Sequence, residues 1–445
     1  MVQQNALLGF SSGHSQALFC ILRRNAWRTT AIAGSRPLHL KFCEERLRDS
    51  ICYPESKRKE ARATRTCEAR PVQPLRGAEA VIDHPRLSKN NFDLLRFLFA
   101  GVVCIFHAYA LYGEKLPGWF AAVLSPKMAV EGFFVVSGFL VFMSYERSSS
   151  TLSYISKRVR RVYPAYFSVV ILCALLLCTV SSYDLAQYFS FSWLRYVVAN
   201  LVFLNFIQPT LPGVFEGNKF QAVDGALWTL KIEVMFYAAV PIIVYLFRRC
   251  GRLPVLVTLY FASVAYVWFM TLLAERTGSG LYDELIRQLP GELAYFMAGA
   301  FFYYYLPLFE RRVWYFVAFA SLALLVDSLY PILLVEPFAI ATAVVFFGLY
   351  LYVGNFGKYG DFSYGIYIIH YPIIQVLLYA GWFEGSWNYY LVTVVLITLT
   401  GAIAMWHLVE KRFLFRNSHY IKAAKESERH ADLLLGADTP ERRAG

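Results

Sequence analysis

Arg96 and His107 lie in one apolar stretch, Phe92 to Leu111, long enough to cross a bilayer as a helix. Eleven residues at roughly 100° each bring them within about 20° of a whole number of turns, so they point to nearly the same side, about 16 Å apart along the axis. An ionisable residue at membrane depth is costly, and two on one face indicate a polar pathway or a reaction centre. The plainer reading has Arg96 snorkelling to the interface and His107 bonding a neighbouring helix. The rest of the chain weighs against it.

Hydrophobic residues make up 57% of the 445 residues, aromatics 17%, and Asp, Glu, Lys and Arg together 17%. A soluble domain carries about 25% charge. The chain therefore reads as a multi-spanning membrane protein, with room for about ten spans plus a tail. The net charge of +12 would suggest nucleic acid in a soluble protein. Residues 1–90, however, hold 16 Lys and Arg against 8 Asp and Glu, and basic segments beside membranes report topology. No RNA-binding signature accompanies them, and no nucleic-acid partner is expected.

The eight cysteines divide evenly between the tail (Cys20, Cys43, Cys52, Cys67) and the apolar region (Cys104, Cys173, Cys178, Cys250). Without a CxxC or Cys/His ligand spacing they predict neither a zinc site nor a disulfide framework. Cys173 and Cys178 are expected to pack as small hydrophobes. In the tail, the Arg23–Arg24 pair follows the mildly apolar Ala6–Leu22, the reverse of a signal peptide's charge order. Residues 41–90 are charged and aperiodic, which predicts disorder. An upstream start codon would also account for such a tail.

Spans are predicted at about 92–112, 128–146, 160–180, 226–247, 254–273, 290–306, 312–328, 331–352, 362–380 and 389–409. Asp184–Gln208 is apolar but carries Arg195, Asn200 and Asn205. If it does not cross, the basic tail, Lys157–Arg161, Arg248–Arg252, Arg311–Arg312, Lys358 and Lys411–Arg416 all fall on one side. The opposite loops then hold Glu275, Asp283, Glu284 and Glu384. The expected fold class is an all-α polytopic membrane helix bundle with about ten transmembrane helices, one extra non-spanning or re-entrant segment, and both termini cytoplasmic. The expected division is a tail at 1–90, a transmembrane domain at 91–415 and a cytoplasmic tail at 416–445. No sequence repeat links the halves, which weakens a transporter reading. In this topology His107, Glu233 and His370 reach similar depths on three helices, which suggests one shared cavity.

Six motifs occur in order. They are Asp93, Arg96 and His107 in span one, then Val130-Glu-Gly-Phe-Phe-Val-Val-Ser-Gly-Phe139 in span two. Lys157-Arg-Val-Arg-Arg-Val-Tyr-Pro164 follows, then Leu227-Trp-Thr-Leu-Lys-Ile-Glu233 with Tyr237. The last two are Ser363-Tyr-Gly-Ile-Tyr-Ile-Ile-His-Tyr-Pro372 and Val409-Glu-Lys-Arg-Phe413. From about Asn91 to Phe415 the chain resembles the membrane-bound acyltransferase-3 proteins, bacterial O-acyltransferases of surface glycans. It departs from the family pattern at Glu131, where Asp is common, at Thr229 for Ser, at Lys231, and in the long basic tail. No hydrolase-like domain follows the last span, as in the single-domain members.

The resemblance implies transfer of an acyl group, most often acetyl, from cytoplasmic acyl-CoA to a hydroxyl of lipopolysaccharide, exopolysaccharide or a lipid-linked sugar. It places the protein in the bacterial inner membrane among membrane lipid, with acetyl-CoA as donor substrate and no metal. A sugar hydroxyl needs a base as it attacks a thioester. His107 is the candidate base, because neutral imidazole accepts that proton without a buried charge beforehand. Glu233 could hold the imidazole's tautomer or be the base itself. His370 belongs to the same polar group, and Arg96 could stabilise the oxyanion or the donor's pyrophosphate. Arg158, Arg160 and Arg161 stand at the cytoplasmic mouth, where CoA's phosphates would arrive, although a topology-setting loop would carry the same charges. Direct transfer and an acetyl-His107 intermediate both fit. The alternatives are a secondary transporter or lipid-linked glycan flippase using Arg, His and Glu as a proton relay, and a catalytically silent scaffold, which the motif order disfavours.

Overall fold

The structure, a computed structural model, describes residues 84–415 except 88, 119–124, 359 and 384. The tails at 1–83 and 416–445, with Cys20, Cys43, Cys52 and Cys67, and the loop residue Glu384 lie outside the described residues.

Each predicted span coincides with a helix. They are α1 (Phe92–Tyr112), α2 (Pro126–Glu146) and α3 (Thr151–Leu176), then two short helices, α4 (Leu185–Tyr188) and α5 (Phe191–Leu201). There follow α6 (Trp228–Cys250), α7 (Arg252–Thr277), α8 (Gly280–Ile286), α9 (Leu289–Tyr304), α10 (Leu306–Arg311), α11 (Val313–Leu329), α12 (Glu336–Tyr350), α13 (Phe362–Tyr379) and α14 (Trp387–Met405). The last of these runs on through a wider turn, Trp406–Glu410, into α15 (Lys411–Phe413). No strand occurs among the described residues, and seven helices are long and apolar enough to cross a membrane by length and composition. The fold is an all-α polytopic bundle.

Local chemistry sets several helix starts. Ser125 caps α2 by accepting from Met128 N–H, ahead of Pro126 at the first position, where a missing N–H costs nothing. Ser150 caps α3 by accepting from Ser153 N–H, so the helix begins about nine residues before the apolar run does. Arg158, Arg160 and Arg161 therefore sit on a helix and not in a loop. Arg158 and Arg161, three apart, share a face.

Asp184–Gln208 does not cross. Its longer helix has 11 residues, about 16 Å of rise against a hydrocarbon core of about 30 Å. Two phenylalanines beyond α4 occupy the left-handed region, Phe203 at φ 61° and Phe215 at φ 58°. Packing holds both: Phe203 stacks on Tyr166 at 4.3 Å, and Phe215 is fully buried.

Cross-links show how the helix ends alternate. At one end Arg96 pairs with Asp361, Arg161 with Glu410, Tyr304 donates to Glu146 at 2.7 Å, and Arg252 lies over the Tyr304 ring. At the other, Lys127 pairs with Glu131 and Glu336, and Tyr112 donates to Phe383 O at 2.9 Å. The first end carries the basic groups. Between the ends, α2 and α9 touch backbone to backbone. A Cβ at Gly138 would lie 2.1 Å from Phe296 O, and one at Gly299 2.1 Å from Val135 O. Small residues allow this approach, which supplies the dispersion that lipid-embedded helices rely on.

Candidate active site

Two helices carry the centre. His107 projects from α1 and His370 from α13, and both are buried. His107 Nδ1 and His370 Nε2 are 2.9 Å apart, with the rings stacked at 5.1 Å. His370 Nδ1 lies 3.0 Å from Ile366 O.

That carbonyl can only accept, which fixes the protons by elimination. His370 carries its hydrogen on Nδ1 and donates to Ile366 O, leaving Nε2 bare in the neutral ring. His107 must then donate from Nδ1 to His370, which leaves His107 Nε2 as the lone-pair nitrogen. The tautomers are assigned from this network. A backbone carbonyl and one imidazole thus orient a second imidazole, as an acidic residue orients the histidine of a serine-hydrolase triad.

A cavity of about 410 Å³ opens on the basic side of this pair, within the range of about 300–1,000 Å³ usual for ligand pockets. Its lining holds six cations, Arg96, Arg147, Lys157, Arg158, Arg160 and Arg161, against Asp93 and Glu233. Tyr367 and Thr229 also line it. Thr229 Oγ1 and Tyr367 Oη are 2.6 Å apart, and the Tyr367 ring meets His370 edge-on at 6.0 Å. Tyr367 thus reaches from the cavity wall to the histidine pair, with its hydroxyl on Thr229 and its ring on His370.

The cations differ in how they are held. Arg96 Nη1 lies 2.6 Å from Asp361 Oδ2, and Arg161 bonds both Asp361 and Glu410. Asp361 is 2% exposed and also accepts from Ser363 Oγ. Arg158 donates from Nη2 to Ser144 Oγ at 2.7 Å, with its guanidinium 5.6 Å from the Tyr237 ring. Its buried Nε finds no partner among the described residues. Arg160 is exposed and stacks on Phe415 at 4.4 Å.

The structure therefore brings His107 and His370 together and groups Arg96, Arg158, Arg160, Arg161 and Glu233 around one cavity. Glu233 is not the partner on His107 Nδ1. That place is taken by His370, and Glu233 accepts from Tyr237 Oη, one helical turn on. Arg96 is drawn to Asp361 at the basic end, away from the histidines. Three residues were missed by sequence reading. Asp361 and Tyr367 were given no role, and Asp224 was not singled out. Asp361 could have been noticed as an N-cap, since it accepts from Ser363 N–H at the start of α13. Asp224 has no local signal.

The family model described as an acyltransferase domain, Acyl_transf_3, matches residues 89–407. Nodulation protein 10 of Rhizobium leguminosarum bv. viciae is 27% identical over 360 residues, covering 74% of this chain and 94% of that protein. The O-acetyl transferase of Shigella phage Sf6 is 28% identical over 343 residues, covering 74% of this chain and 97% of its own. No solved structure matches. The chain belongs to the acyltransferase-3 family, and it is a membrane-embedded acyltransferase.

Proposed function

We propose that this O-acyltransferase takes an acetyl group from acetyl-CoA at the basic, cytoplasmic face and transfers it to a hydroxyl of a cell-surface glycan reached from the opposite face. The setting is a bacterial inner membrane with both chain termini cytoplasmic. The observation that carries the reading is the hydrogen-bond chain Ile366 O, His370, His107. It leaves one imidazole nitrogen basic, and Tyr367, whose ring meets His370, lines a cationic cavity.

The cations suit the donor. CoA carries a pyrophosphate and a ribose phosphate, and guanidinium forks bind such groups bidentately. Arg158 is bonded to a hydroxyl and not to a carboxylate, and Arg160 stands at the exposed rim. Arg161 and Arg96, tied to carboxylates, keep the wall in shape and set its potential. The thioester then lies towards Tyr367 and Thr229, whose hydroxyls can turn to a developing oxyanion.

In the transfer, the acceptor oxygen forms a bond to the thioester carbonyl carbon as its proton passes to His107 Nε2. The carbon–sulfur bond breaks, and the CoA thiolate takes a proton to leave as the thiol. His370 shares the charge on His107 during attack, and the Ile366 carbonyl dipole opposes it. An acetyl-His107 intermediate uses the same nitrogen. The likeness to a phage O-acetyl transferase supports the acetyl group and the oxygen acceptor.

The experiment is mass spectrometry of surface polysaccharide from cells with and without the gene, paired with thiol release from acetyl-CoA by the purified protein. Acetyl groups lost with the gene and thiol release by the wild type are expected. A glycan unchanged in the absence of the gene would remove the reading.

A further inference from the structure

Two fully desolvated polar atoms, one beside the histidine pair and one on the loop packed against it, find no partner among the described residues. One is Tyr371 Oη on α13, on a residue that is 0% exposed. The other is Asp224 Oδ2, on a residue 7% exposed whose Oδ1 alone is satisfied, by Ala226 N–H at 3.0 Å. A buried polar group without a partner costs about 1–3 kcal/mol, and in a folded protein each such group calls for an explanation.

The two atoms belong to one place. The Tyr371 ring meets His107 edge-on at 5.2 Å and His370 at 6.5 Å. Its hydroxyl rests on the backbone of Gly225, where a Cβ would lie 2.8 Å from Oη, and Gly225 follows Asp224. The loop between α5 and α6 therefore dips to the level of the histidines. The neighbouring Ala226 O faces Tyr367 Oη at 3.5 Å. Gln375, one turn beyond Tyr371, fastens the loop by donating to Phe220 O at 2.6 Å and Ala222 O at 2.7 Å, while accepting from Asn218. Neither orphan atom belongs to the lining of the cationic cavity, and Lys219 of the same loop donates to Ala110 O at 3.1 Å, three residues past His107 from the basic end of α1. A donor filling that cavity leaves this side for the second substrate.

We propose that Asp224 and Tyr371 form the acceptor subsite, in which a sugar hydroxyl adjacent to the reacting one donates to Asp224 Oδ2 and accepts from Tyr371 Oη. The inference rests on the acyl-transfer reading and assigns its second substrate. One acceptor and one donor, without an added cation, match a neutral vicinal diol and not a phosphate. The reacting hydroxyl meets His107 Nε2 and gives up its proton there, as in the transfer above. Entry requires the loop to release Gln375.

The test uses full-length protein in native membranes, labelled acetyl-CoA, and polysaccharide from cells lacking the gene as the varied acceptor. Tyr371→Phe deletes only the orphan oxygen. The expected result is an acceptor KM raised about 2–10-fold, an unchanged donor KM, and a melting temperature equal to or above that of the wild type. A hydroxyl with only a structural role would not move the acceptor KM. Asp224→Asn keeps the Ala226 bond but turns Oδ2 into a donor, and it should also raise acceptor KM selectively. It carries the test if the first variant folds poorly. Unchanged acceptor KM in both variants, with a wild type that transfers, overturns the subsite alone. A wild type that fails to transfer overturns the acyl-transfer reading with it.

Discussion

His107 Nδ1 and His370 Nε2 meet at 2.9 Å across two helices whose residues are 263 positions apart in sequence. The contact turns two neutral imidazoles into one directional unit, because the Ile366 carbonyl anchors its far end. His107→Ala removes the basic nitrogen and should abolish transfer, with expression and membrane insertion close to wild type. Measured turnover above background would exclude the base role.

In the proposed mechanism His370 acts through His107, so its loss should have a different signature. His370→Ala should lower kcat about 10²–10⁴-fold, the range for a general base lost or misoriented, with the acetyl-CoA KM little changed. In His370→Gln the amide oxygen can still accept from His107 Nδ1–H, and part of the rate should return. Equal kcat in the two variants would reduce His370 to packing.

On the proposed donor reading, the cationic wall divides into binding and bracing residues. Arg158→Ala should raise the acetyl-CoA KM about 10–100-fold, since a hydrogen bond to a charged group contributes about 1.5–3 kcal/mol, and should lower kcat less. Arg158→Lys should recover only part of that, lacking the fork. Steady-state kinetics over varied acetyl-CoA decide it. An unchanged KM would return Arg158 to a topology signal.

Asp361 should show up as stability. It is buried between Arg96 and Arg161, and Glu410 bonds the second of these. Asp361→Asn leaves two guanidiniums facing each other, and removing one partner of a buried pair costs about 3–5 kcal/mol. Thermal unfolding of the detergent-solubilised protein should show a clear fall in melting temperature. A variant as stable as wild type would mean that the arginines find other partners.

The helices were legible because apolar length dictates a span whatever the packing. Boundaries were less so. Lys157–Arg161 interrupts hydropathy and reads as a loop, whereas the Ser150 cap starts the helix before it. The two histidines could be placed at similar depth by counting turns, but their contact depends on α1 packing against α13, which no local pattern encodes. Asp361 lies just outside an apolar run and gains its role from partners 200 and 265 residues away. Asp224 is further from legibility still, since the loop that brings it to Tyr371 has no periodicity and turns through two left-handed phenylalanines.

Orientation in the membrane is the remaining prediction, and the sidedness of the reaction depends on it. Asp184–Gln208 does not cross, so the C-terminal end of α6 shares a face with the basic end of α3, and Cys250 belongs to the basic side. Cys250 is exposed, so it can be probed directly. In a variant with the other seven cysteines replaced, an impermeant thiol reagent should fail to label intact cells and should label opened ones. Ser279 caps α8 beyond the far end of α7, and a single cysteine placed there should label from outside without opening. Labelling of Cys250 in intact cells would reverse the bundle. The cationic cavity would then face away from the cytoplasmic acetyl-CoA pool, and the donor reading would fail on supply alone.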